Sequence, residues 1–149
     1  HGVLSRAEIN SRVDIVLENY CKVLHIEALT LIEMMNRQVI PAISEYTDRL
    51  CTALSHKRVL NINADESADR EIIARLSAAG SEIYKLTGDL KMAVSSAEKI
   101  ADMLEKATAY HDIVLKLMTD IRKYADSSEA VVSMDVWPYP SYGELLFSI

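Results

Sequence analysis

The sequence predicts an all-α protein: an antiparallel bundle of three to four long helices, with a non-helical, Pro- and aromatic-rich carboxyl-terminal tail docked on it. Three observations carry this expectation. Apolar residues recur at spacings of three and four through most of the chain, the period of helices with one buried face. Glycine and proline, on which turns depend, number only four and three in 149 residues. Two of the three prolines fall in the last thirteen residues, together with the only Trp and the only Phe. There they forbid a helix up to Pro140, since each proline lacks an amide donor and pushes its predecessor out of the α region.

The first helix starts at a capping box, Ser5-Arg6-Ala7-Glu8, with Leu4 and Ile9 at the two positions of a hydrophobic staple. Ile9, Val13, Val16, Tyr20, Val23, Leu24, Ala28, Leu31, Met35 and Val39 then follow at helical spacing. One stripe buried along the whole element is expected. Pro41 interrupts a pattern that resumes with Ile43, Tyr46, Leu50 and Leu54. A kink or break near residues 37–41 is therefore expected, with a continuation to about residue 58. Asn61–Asp65 reads as a connector, with Asn63 or Asp65 available as a helix cap.

Heptad spacing marks the next stretch: Ile72, Leu76, Ala79, Ile83, Leu86, Leu90, Ala93, Ala97, Ile100, Leu104, Ala107, Val114, Met118 and Ile121. Taken as one rod it would run on the order of 80 Å. Two antiparallel helices with a break between Ser95 and Met103 shelter it better. Gly80 and Gly88 could permit close helix approach, and the last helix should fade at Asp126–Glu129 or by Ser133. The whole reads as a single helical domain, 1–149, with a docking tail at 134–149.

The tail is too apolar to fray. Trp137, Tyr139, Tyr142, Leu145, Leu146 and Phe147 offer a large apolar surface, stiffened by Pro138 and Pro140. Burying a Phe- or Leu-sized side chain is worth ~1.5–3 kcal/mol. These eight residues are the candidate interaction site, with Trp137 expected to be at least half buried.

Composition bounds the function. The net charge of −6, with no basic stripe interleaved with aromatics, argues against nucleic acid. No apolar run reaches membrane-spanning length and no leader-like start is present, so a cytoplasmic protein is expected. Cys21 and Cys51 read as reduced thiols. Cys21 and His25 share a helix face, but no second Cys/His pair completes a zinc site. Glu18, Glu27, Glu33 and Glu45 read as a solvated face, because no Glu-x-x-His pair occurs. Tyr20, Tyr46, Tyr84, Tyr110 and Tyr124 suggest a belt at a bundle rim. Met34, Met35, Met92, Met103 and Met118 suggest core filler. His111 and Asp112 are adjacent, so a helix should point them about 100° apart and prevent a hydrogen-bonded dyad. No catalytic, cofactor-binding or metal-binding residue is assigned.

The tail Trp137-Pro-Tyr-Pro-Ser-Tyr-Gly-Glu-Leu-Leu-Phe147 resembles the carboxyl terminus of type III glutamine synthetases, the large bacterial form. Asn10-Ser-Arg-Val-Asp-Ile-Val-Leu-Glu-Asn-Tyr-Cys-Lys22 looks like that family's segment just after its catalytic barrel. His25-Ile-Glu-Ala-Leu-Thr30 and Arg37-Gln-Val-Ile-Pro-Ala42 match further segments. The resemblance is strong at residues 8–50 and 134–149 and weak at 60–130. It implies a non-catalytic packing or assembly domain of an ATP-dependent glutamate–ammonia ligase whose barrel lies upstream. ATP and magnesium or manganese belong to the full-length enzyme, and its partners are the rest of that enzyme and neighbouring subunits in a homo-oligomer. The residues by themselves also allow a free-standing helical adaptor or regulatory module. An encoded barrel before residue 1 separates the two.

Overall fold

The computed structural model describes residues 2–61 and 63–140. Every regular element among them is helical. Helix α1 spans Arg6–Met34 and runs through a π turn, Met35–Val39, into α2, Ile40–Val59. After a short connector comes α3, Ser67–Glu98. The last arm is α4, Met103–Ala109, a second π turn at Tyr110–Val114, and α5, Leu115–Glu129. The three arms pack together. Pairings of Lys57 with Asp69 and His25 with Glu98 show α3 running back along the first arm from the end of α2 as far as His25.

The start of α1 follows from the capping box. The Ser5 hydroxyl accepts the Glu8 amide at 3.2 Å, and the Glu8 carboxylate accepts the Ser5 amide at 2.7 Å. Those bonds hold Glu8 below the ordinary carboxyl range. Pro41 neither breaks the arm nor leaves it regular. The Ile40 amide bonds the Met35 carbonyl, five residues back, and this widened turn places Pro41 in the first turn of α2. There its missing amide costs little. A second π turn follows α4, where the Leu115 amide bonds the Tyr110 carbonyl. No proline or glycine marks it.

The connector is closed electrostatically. Glu66 is gripped by Arg58 at the end of α2, at 2.9 Å and 3.0 Å, and by Arg70 in the first turn of α3. The Asp65 carboxylate accepts the Ser67 amide at 2.9 Å. Asp65 thus serves the start of α3, and Asn63 does not. The break in the long heptad run falls at residues 99–102, with Asp102 capping α4 through the Glu105 amide.

Four readings of the core need correction. The α1 stripe is not buried along its length: its buried residues begin at Cys21, while Ile9, Val13, Val16 and Val23 are about half exposed or more. No described residue packs deeply against the first turns. On α3 the seam runs through Leu76, Ala79, Ile83, Thr87, Leu90, Val94 and Ala97, so Thr87 and Val94 replace Leu86 and Ala93. A hydroxyl hid Thr87 from the apolar pattern; it is buried because it donates to its own helix at the Ile83 carbonyl, 2.6 Å away. Leu104 and Met92 face solvent rather than the core. Gly80 does mark a close approach, with Ile43 Cγ2 at 3.4 Å from where a Cβ would stand, but Gly88 faces open space.

Candidate functional site

Beyond α5 the chain turns on its own backbone. Ser128 is buried and accepts the Val131 and Val132 amides on its carbonyl, and Ser133 accepts those of Val136 and Trp137. Val132 enters the core, while Val136, Trp137 and Tyr139 pack against it. The turn is tied to the first arm at two points. Arg49 of α2 meets Asp135 at 2.7 Å, and the Tyr139 hydroxyl donates to Gln38 in the first π turn. Arg49 and then Ser133 hold the Asp135 carboxyl below its usual range.

The predicted docking residues divide. Trp137 and Tyr139 are partly buried and meet edge to face, with ring centroids 6.5 Å apart. Pro138 and Pro140 are exposed. Tyr142, Leu145, Leu146 and Phe147 lie outside the described residues. Trp137 and Tyr139 form one wall of a cleft of about 450 Å³, closed by Ile26, Thr30 and Met34 of α1 and Arg122 and Asp126 of α5. The Trp137 Nε1 is buried in this region without a hydrogen-bond partner among the described residues.

A polar cluster around Tyr110 joins all three arms. Tyr110 is fully buried, not a rim residue. Its hydroxyl donates to Glu98 Oε1 at 2.5 Å, which leaves the oxygen to accept from His25 Nδ1 at 3.0 Å. His25 therefore carries its proton on Nδ1 when neutral. Burial, and then the carboxylate beside it, push the Tyr110 hydroxyl well above its ordinary range. The hydrogen bond from Tyr110 holds Glu98 low. Burial also raises the Cys21 thiol, which sits one turn from His25. That burial disfavours the reactive thiolate.

Among the described residues no three His, Cys, Asp or Glu side chains gather where a metal ion could be held. Cys21 and Cys51 are both free and lie on one arm, roughly 45 Å apart along it. Glu18, Glu33 and Glu45 pair with Lys22, Arg37 and Arg49 one turn on, at the surface. His111 and Asp112 do meet, at 2.9 Å, contrary to the expectation from adjacency. Both side chains are exposed on the second π turn, free to swing toward each other. No helix of the described residues is long and apolar enough to cross a membrane.

Sequence reasoning missed the Tyr110 cluster. The signal was a gap: the heptad seam stepped from Ala107 to Val114, and Tyr110 fills the vacant position three residues on.

Comparison with known proteins adds the following. The profile of the glutamine synthetase C-terminal domain matches residues 1–58. A glutamine synthetase of Butyrivibrio fibrisolvens is 34% identical over 149 residues, covering 100% of this chain and 21% of that protein. One from Bacteroides fragilis (strain YCH46) is 31% identical over 152 residues, covering 98% of the chain and 21% of its own length. A type-3 glutamine synthetase of Dictyostelium discoideum is 26% identical over 156 residues, with shares of 98% and 20%. The chain thus spans about a fifth of the length of the curated relatives it matches.

Proposed function

The chain belongs to the glutamine synthetase family, as its carboxyl-terminal domain, and from that membership we propose that it is a non-catalytic packing domain of a glutamate–ammonia ligase. The observation that carries this reading is a mismatch. The likeness to these ligases covers the entire chain, yet the chain spans only about a fifth of their length. In this reading ATP and the divalent metals are held by the part of the enzyme outside this chain, since the curated relatives are about five times its length.

In this reading the bundle is a rigid body that packs on the catalytic part or on neighbouring subunits of a cytoplasmic homo-oligomer. Residues 134–149 form its docking segment. Trp137, Pro138, Tyr139 and Pro140 lie at the cleft beside α1 and α5, and the sequence adds the apolar Tyr142, Leu145, Leu146 and Phe147 to the same segment. The buried Trp137 Nε1 supports this: a desolvated donor costs about 1–3 kcal/mol unless a partner satisfies it.

The test is an assay of the purified chain for phosphate release that depends on glutamate, ammonium and ATP. No release is expected. Release that survives purification and scales with the chain would overturn the reading.

A further inference from the structure

The first turns of α1 present a helix surface that nothing described covers. From Arg6 to Val16 every residue is exposed, yet Ile9, Val13 and Val16 continue the stripe that begins to pack at Leu17 and Tyr20 and enters the core at Leu24 and Leu31. Ile9, Val13 and Val16 are 48%, 50% and 66% exposed. Leu104 of α4, 64% exposed, stands across a groove from Val16 and Tyr20. An isolated helix of this length is marginal in water, and helices of this kind owe their stability to packing of the apolar face. A single exposed Leu would mean little; a contiguous stripe joined to the core means an interface.

We propose that this stripe, with Leu104, is the seat of the preceding body of the same polypeptide, docked in cis. The inference rests on the packing-domain reading above. Its occupant follows from length and direction. The relatives are about five times longer than the chain, and the match is to a carboxyl-terminal domain, so their remaining mass precedes α1. Such a body enters at Arg6, beside the uncovered turns. A tethered partner acts at an effective concentration of order mM, which a second free copy does not reach. Residues 141–149 are excluded at the far end of the stripe. They reach about 31 Å when fully extended, whereas Ile9 lies roughly 43 Å along the arm from Gln38, where Tyr139 is anchored.

The experiment is hydrogen exchange on the whole protein, read at the amides of residues 9–20, before and after dilution to the monomer. Protection at least tenfold above that of a frayed helix end, unchanged on dilution, is expected. Val13→Asp with Val16→Asp should abolish it, and Val59→Asp, at an exposed site on the end of α2, should not. Protection no greater than a frayed end, or protection lost on dilution, would overturn the proposal; the second result would assign the face to another copy. ATP binding by the same whole protein tests the ligase reading separately, so the two can fail independently.

Discussion

Glu98, the last residue of α3, accepts the hydroxyl proton of Tyr110 at 2.5 Å and so ties the end of one arm to the π turn of the next. His25 of α1 completes the link from the other side. One hydroxyl therefore joins all three arms.

Tyr110→Phe keeps the buried ring and removes only that link. A hydrogen bond to a charged group is worth about 1.5–3 kcal/mol, and Glu98 can rehydrate because it is half exposed. A loss of about 1.5 kcal/mol is expected, read as a lower urea midpoint at unchanged slope. The Glu98 carboxyl is held low, so this contribution is present above the ordinary carboxyl range and lost as pH falls through its depressed value. In a Glu98→Ala background the same substitution should cost measurably less. Equal costs in both backgrounds would mean that the bond contributes nothing.

Glu66 gives the acid limb its clearest marker. Its carboxyl is lowered from 4.5 to about 2, first by the hydrogen bond from Arg58 and then by that from Arg70. A depressed carboxyl stabilises the fold above its ordinary value and loses that contribution as pH falls through the depressed one. The wild-type melting temperature should therefore drop between about pH 4.5 and pH 2. Glu66→Gln should flatten that part of the profile. An unchanged profile would show that Arg58 and Arg70 do not close the connector in solution.

Gly88 is an exposed helical glycine with no atom within 4 Å of the position a Cβ would take. Gly88→Ala should stabilise the chain by about 1 kcal/mol through helix propensity. A loss of stability in a thermal or urea titration would place a neighbour against this face.

Trp137 reports on the proposed docking segment. It is partly buried against the first arm and α5, so its fluorescence should be blue-shifted relative to an indole in water. Trp137→Ala should cost about 2 kcal/mol, less than the ~3–5 kcal/mol of a fully buried aromatic. Removing residues 136–149 should strip the cover from Met35 and Val39 and lower the melting temperature or cause association. Water-like emission with an unchanged melting temperature would mean that the segment does not rest on the bundle.

Local chemistry made much of the fold legible. The Ser5–Glu8 box, the disturbance at Pro41 and the fading of the last helix near Glu129 each follow from residues within one turn of the event, while the break before Met103 follows from the length a single rod would have. What was illegible depends on distant partners. Thr87 is a core residue only because its hydroxyl finds the Ile83 carbonyl. Tyr110 is buried only because His25 and Glu98 meet its oxygen. The second π turn has no proline to announce it. Ile9, Val13 and Val16 read as core because the stripe is continuous, while burial requires a neighbour that the pattern cannot supply. Of the proposed docking segment, the composition was readable, but the partners of Tyr139 and Asp135, Gln38 and Arg49, lie about a hundred residues upstream.

The central claim, that this domain serves assembly and not chemistry, is tested most directly by deleting the segment corresponding to residues 1–149 from the whole protein. Sedimentation and nucleotide binding would then be measured together. The account predicts a smaller particle that still binds ATP. An intact assembly that has lost ATP binding would contradict it.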